Sequence, residues 1–274
     1  MRTKTVVFLI CGLAAAVLTV FIATNVQDNN REVVRRQPAA ATNTARDLDL
    51  SSAVVVDLPF VGEWVAVNTP AKQVPSHGTN YFGQRFAYDF ARLNDSGQSF
   101  SKQDNWKQIV GAVPAEDFLA WNQPILAAFP GEVIAVGEGW PDQIKINVLW
   151  EMARGKLFQR RPAGRDYRPL TGNYILIAGT PGVALYAHLR RGSIRVRTGS
   201  RVETGQPLGS LGNSGNSSMP HLHFHVMDNP DPLTARGVLC AFHAYERRVG
   251  DDWQSVEIGV PGPMERFRTG QSDN

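Results

Sequence analysis

The sequence predicts a mostly β protein, a compact antiparallel sheet domain carried behind one apolar N-terminal helix. Three observations predict it. From about residue 58 onward the apolar runs are short, four to six residues each, the length of strands rather than of helices. Gly, Pro and Asn stand between them as turn formers, and 25 Gly and 17 Pro in a 274-residue chain supply enough of them. Only residues 147–153 carry a convincing helical pattern, and no repeat of fixed period is visible.

The elements follow in chain order. Residues 6–23 form a run without charge, preceded by Arg2 and Lys4. A helix of that length spans a bilayer with little tilt, so residues 1–23 read as a signal anchor or a signal peptide. Ala23-Thr24-Asn25 is a poor cleavage site, and Leu9-Ile10 ahead of Cys11 does not suit a lipoprotein signal; both favour the anchor. Arg2 and Lys4 favour a cytoplasmic N-terminus, with Arg31, Arg35 and Arg36 on the far side weakening that vote. The domain is then extracytoplasmic, in the periplasm or cell envelope, held to the membrane by residues 6–23. Residues 24–53 are polar, contain Pro38 and lack periodicity, as a flexible linker does. Residues 54–274 make up the domain. Its strands are expected at 64–67, 86–90, 125–128, 132–136, 174–178, 183–188, 208–211 and 222–227. Two longer insertions fall at 94–106 and 139–171. The second carries Arg154, Lys156, Arg160, Arg161, Arg165 and Arg168, and reads as a solvated loop, the sharper alternative being a rim that meets an anionic polymer.

Composition narrows the function classes. With 43% apolar and 19% charged residues the chain is neither disordered nor a coiled coil. Its net charge of +3 resides in residues 1–47, where Arg2, Lys4, Arg31, Arg35, Arg36 and Arg46 face only Asp28, Glu32 and Asp47. The remainder is neutral, so no nucleic-acid groove is indicated, and the chain is expected to act as a monomer. Of the two cysteines, Cys11 lies in the apolar N-terminal run and Cys240 in the domain. That excludes an intradomain disulfide and a cysteine-built zinc site. Any metal must use carboxylates and the six histidines, His77, His188, His221, His223, His225 and His243.

The most informative segment reads Met219-Pro220-His221-Leu222-His223-Phe224-His225-Val226. In a strand, alternate residues share a face, so the three histidines point one way while Leu222, Phe224 and Val226 enter a core. Three imidazoles on one face are hard to justify as packing, since each needs hydrogen-bond partners when buried, and imidazole is the commonest metal ligand. Further ligands must come from elsewhere. His77 follows Pro75-Ser76 in a loop signal, Asp89 is a charge framed by apolar residues in Phe86–Phe90, and His188 ends the run Tyr186-Ala187-His188-Leu189. A carboxylate placed as Asp89 is needs a partner. His243 and Cys240 read as peripheral or core-packing residues without chemistry. Gly209, Gly212 and Gly215 read as turn glycines of positive φ.

At this point the chain resembles the lysostaphin/LytM-type zinc metallopeptidases, which cut peptide bonds in bacterial peptidoglycan. The resemblance is carried by Gly131-Glu132-Val133-Ile134-Ala135-Val136, by Gly172-Asn173-Tyr174-Ile175-Leu176-Ile177, by Tyr186-Ala187-His188-Leu189 and by VRTGSRVETGQPLGSLGNSGNSSMPHLHFHV at 196–226. It covers roughly residues 58–245, with a motif core at about 75–228. It implies a compact antiparallel sheet with a groove over the metal, one Zn²⁺ held by His77, Asp89 and His223, catalytic roles for His188 and His221, and hydrolysis of peptidoglycan amide bonds by metal-activated water. Three departures stand out. His77 and Asp89 are twelve residues apart where the common pattern has four, as in a branch with a longer loop. Position 225 is His where the family often has an acid. The insertions alter the groove walls. The alternative within the family is a non-catalytic module that binds and regulates another cell-wall enzyme. A carrier-type β domain needs a modified Lys at a hairpin tip, and no Lys follows Lys156.

Overall fold

The computed structural model describes residues 48–95, 97–99, 112–147 and 166–269. The apolar run 6–23, the linker up to residue 47, most of the helical stretch 147–153 and the basic residues 154–165 lie outside them. Among the described residues no helix is long and apolar enough to cross a membrane.

The strands are β1 (Val54–Val56), β2 (Glu63–Asn68), β3 (Tyr88–Ala91), β4 (Val113–Pro114), β5 (Pro124–Leu126), β6 (Gly131–Gly137), β7 (Lys145–Ile146) and β8 (Asn173–Gly179). They continue with β9 (Gly182–Leu189), β10 (Arg201–Val202), β11 (Pro207–Ser210), β12 (Leu222–Met227), β13 (Gly237–Val238), β14 (Cys240–Val249), β15 (Asp252–Gly259) and β16 (Arg266–Thr269). The main sheet runs β1-β14-β16-β2-β3-β12-β9-β8-β6-β10, with β13 beside β12 and β15 beside β14. Each expected strand overlaps an observed one, and the architecture is mostly β as expected. The sheet is not wholly antiparallel, because β1 pairs parallel with β14. Nearly the whole domain separates those two strands, so no tight turn dictates their direction.

Strand β12 sits between β3 and β9, and its two faces divide the molecule. Leu222, Phe224 and Val226 are fully buried in the larger core with Phe60, Trp64, Tyr88, Phe90, Tyr186 and Phe242. Phe224 packs against Tyr186 at 5.2 Å between ring centroids, and burying each such side chain contributes about 1.5–3 kcal/mol. The opposite face carries His223, His225 and Met227. Met227 joins a second apolar cluster with Phe82, Tyr174, Leu176 and Leu185. The histidines therefore lie in a sheet face walled by apolar side chains, in a rigid strand with neighbours on both sides.

The glycine expectation needs correction at two of its three positions. Gly215 does have positive φ (75°). Gly212 does not: an added Cβ would lie 2.4 Å from Asp142 and 2.5 Å from the Arg190 backbone. Gly209 has ordinary φ and a Cβ there would come 3.2 Å from the Ser193 carbonyl. Those two are glycine because another chain segment passes close by, which turn logic does not reveal.

Candidate metal centre

Asp89 is placed by two neighbouring strands. In the β3–β12 register it lies directly opposite His223. On its other side the β2–β3 register shifts between Ala66 and Asn68, which brings Asn68 opposite Asp89. Such a bulge re-aims a side chain, and Asn68 Nδ2 donates to Asp89 Oδ2 at 2.7 Å. His77 reaches the same carboxylate from the loop before β3, with Nε2 2.9 Å from Oδ2. His223 Nδ1 lies 2.9 Å from Oδ1. One ligand atom from each of His77, Asp89 and His223 lies within 4.8 Å of the others, so the three could hold a metal ion.

The donor chemistry fits zinc. Two imidazoles and one carboxylate are a known catalytic zinc set, and metal-bound histidines keep the other ring nitrogen hydrogen-bonded. Both histidines meet that condition. Ser76 Oγ donates to the Gln84 carbonyl at 3.3 Å and lies 3.0 Å from His77 Nδ1, free to accept its proton. His223 Nε2 lies 3.0 Å from His225 Nδ1.

His188 and His221 join the group without being part of it. His188 has positive φ (63°) at the end of β9. In regular alternation it would share the core-facing side with Tyr186; the left-handed backbone turns it instead toward His221 and His223, at 4.8 Å and 6.0 Å between centroids. A non-glycine residue in that conformation is strained, and such strain gathers at functional sites. Its Nδ1 donates to the Ser214 carbonyl at 2.8 Å. His221 Nδ1 donates to the Met219 carbonyl at 2.8 Å and its Nε2 stands 3.5 Å from Asp89 Oδ1. With both Nδ1 atoms committed to carbonyls, both rings offer Nε2 to the site. All five residues singled out from the sequence thus converge. The structure adds Asn68, Ser76 and Ser214, each polar at the edge of an apolar run or glycine-rich turn, a signal too common to single them out. His225, left open in the sequence, is fully buried. His243 is half exposed, 3.7 Å from Asp57, and remote from the group in role. Burial pushes the Cys240 thiol up to about 12, leaving it an inert core residue.

Electrostatics divide the imidazoles. For Asp89, burial works to raise the pKa, but the charges of His77 and His221 and hydrogen bonds from His221 and His223 outweigh it, and the carboxyl lies well below its usual range. Burial, then the neighbouring imidazoles, hold His188 well below the ordinary histidine value. Burial likewise lowers His223 and His225. His221 alone is raised, because the Asp89 carboxylate more than offsets burial. The sign follows from proton counting. Three histidines bind protons less readily folded than unfolded, so below about pH 6.5 the unfolded chain takes up more protons and stability falls with falling pH. His221 contributes in the opposite sense, stabilising below that pH, and is outnumbered. Asp89 adds a further loss below about pH 4. Urea unfolding of the chelator-treated chain from about pH 8 to pH 5 is expected to show the midpoint fall on acidification; a flat or rising midpoint would contradict the buried neutral histidines.

A mostly β domain that gathers two imidazoles and a carboxylate, with two more imidazoles facing them, carries the donor set of a catalytic metal site. Residues 115–235 match the model of peptidase family M23. That stretch contains His188, His221 and His223, while His77 and Asp89 precede it. Over 65 residues the chain is 39% identical to peptidoglycan DD-endopeptidase ShyC of Vibrio cholerae, covering 23% of this chain and 14% of ShyC. Over 68 residues it is 37% identical to ShyA of the same organism, covering 24% and 15%. The chain thus matches about a seventh of the length of these relatives. Among solved structures, a mutant catalytic domain of the prophage-encoded M23 protein EnpA from Enterococcus faecalis aligns at 18% identity and TM-score 0.34, over 69% of this chain and 95% of that one. The catalytic domain of lysostaphin from Staphylococcus simulans aligns at 17% identity and TM-score 0.33, over 65% and 88%.

Proposed function

We propose that the chain is a zinc-dependent endopeptidase that hydrolyses amide bonds in peptidoglycan peptides in the cell envelope, outside the cytoplasmic membrane and tethered to it by residues 6–23. The observation that carries the proposal is the convergence of His77, Asp89 and His223 within 4.8 Å. The match of residues 115–235 to a peptidase family model and partial identity to two proteins named as peptidoglycan DD-endopeptidases support the substrate class. A zinc ion held by those three side chains would supply Lewis acidity toward the scissile carbonyl and water of lowered pKa.

The remaining chemistry belongs to the chain. Asp89 is held ionised by Asn68 and the imidazoles, so its charge is available at neutral pH. His188 stays neutral, with its proton fixed on Nδ1 by Ser214, and offers Nε2 as a proton acceptor. His221, held by Met219, presents a second Nε2 that can donate to a developing oxyanion or a leaving amine. Such proton transfer contributes about 10²–10⁴-fold. The alternative of a non-catalytic module drew its support from the long gap between His77 and Asp89. That gap closes to 2.9 Å in space, which favours the catalytic reading.

The test is a peptidoglycan digest with the purified chain, analysed by mass spectrometry. New amine and carboxyl ends in the peptide moiety are expected, absent after chelation and restored by zinc. A chain that binds zinc yet releases no peptide ends would point to the regulatory module instead.

A further inference from the structure

The long segment between His77 and Asp89 and the histidine at position 225 meet in space. Within it Phe82 and Gly83 both adopt left-handed backbone conformations, φ 62° and 68°. Gly83 lies against β12: a Cβ there would fall 2.6 Å from Met227 Cγ and 3.6 Å from His225 Nε2. An added side chain would therefore strike the strand, and the loop lies flat on it because residue 83 is glycine. His225 is fully buried under this cover. Its Nδ1 is 3.0 Å from His223 Nε2, while its own Nε2 has no well-formed hydrogen bond among the described residues.

We propose that His225 is a positioning residue for His223, accepting the Nε2–H of that ring, and that the loop at 82–83 is the lid that keeps this contact dry. The inference rests on the reading of His77, Asp89 and His223 as zinc ligands. A neutral imidazole has one N–H. If His223 gives its Nδ1 lone pair to a metal, its proton must sit on Nε2, where His225 Nδ1 is the acceptor at hand. His225 then carries its own proton on Nε2, on the side of Phe82. The opposite tautomers suit His223 when Nδ1 donates to Asp89 instead. The His223–His225 hydrogen bond therefore has one direction in the metal-holding chain and can reverse in the metal-free one.

Two measurements test it on the full chain. In the zinc-loaded ¹⁵N-histidine-labelled chain, His225 Nδ1 should give an unprotonated-type signal coupled across the hydrogen bond to His223 Nε2–H; a protonated His225 Nδ1 overturns the assignment. Zinc affinity, read by competition with a chromophoric chelator, should fall about 10–100-fold in His225→Leu, the usual cost of losing such a partner. His225→Gln, which keeps an acceptor, should recover most of it. Equal affinity in folded Leu, Gln and parent chains overturns the proposal, as does a folded Gln variant no better than Leu. If the parent itself binds no zinc, the ligand reading fails along with this one; if the parent binds zinc and the variants match it, only this inference falls.

Discussion

His223→Ala is expected to lose bound zinc and hydrolysis together, with zinc affinity down by at least about 10²-fold. Of the three proposed ligands His223 is held most tightly by structure. It sits mid-strand in β12, directly opposite Asp89, and hydrogen-bonds on both ring nitrogens. Removing the imidazole takes away the ligand atom Nδ1, which in the metal-free chain can instead donate to the buried carboxylate. The remaining pair, His77 and Asp89, leaves two protein ligands where catalytic zinc sites have three. Folding should survive, since the core face of β12 is untouched and the cavity opens toward the site. Metal content by mass spectrometry of the native protein, beside peptide release from peptidoglycan, reads both effects. A His223→Ala chain retaining stoichiometric zinc would mean the ligand set is wrong.

Much of this centre was legible because its signals are periodic. Alternation in 221–226 separates an apolar face from a histidine face whatever the surrounding fold, and the strand does split the molecule that way. A charge framed by apolar residues marks Asp89 for the same reason, since an unpaired buried carboxylate is too costly to keep. The less legible parts depend on neighbours that sequence does not place. Asn68 reaches Asp89 only through a bulge in the β2–β3 pairing. His188 enters the site only because one left-handed residue breaks the alternation of β9, whereas simple alternation assigns it to the core side. Gly209 and Gly212 read as turn residues, yet what requires them is the passage of another segment.

The C-terminal strands illustrate a different limit. β14 and β15 carry Glu246, Arg247, Arg248, Asp252 and Glu257, and much of each is exposed. β14 buries Cys240, Phe242 and Tyr245 in the core, but its outer half and β15 are held by strand pairing: β14 pairs with β1, β15 and β16. Ion pairs such as Arg268–Glu246 and the Arg268–Trp253 contact add side-chain links across these strands. Pairing of this kind leaves a weak trace in hydrophobic pattern, and β1 pairs parallel across nearly the full length of the domain, which no local signal encodes. The apolar faces of β3 and β12 were specified by pattern, whereas the register that sets Asp89 against His223 joins residues 134 apart and no local signal encodes it.

His188→Asn is expected to keep zinc and folding while lowering turnover about 10²–10⁴-fold, the usual contribution of a positioned proton-transfer group. The choice of asparagine follows from the backbone. At φ 63° most side chains are strained, but Asn tolerates this conformation, and its amide can still donate to a carbonyl. The acceptor is well fixed: Ser214 Oγ donates to the Leu189 carbonyl at 2.7 Å and accepts from Asn173 N at 2.9 Å. Asn173 in turn ties Leu189 and Trp140 together through its side chain. This buried network holds the Ser214 carbonyl where only an Nδ1–H can satisfy it, so the His188 lone pair stays on Nε2, facing His221. Asparagine reproduces the anchor and removes the base. The loss should therefore appear in kcat with little change in KM, in zinc content or in melting temperature. An unchanged kcat would remove His188 from the chemistry; loss of zinc in a folded His188→Asn chain would make it a ligand, and the division of roles among the four imidazoles would have to be redrawn.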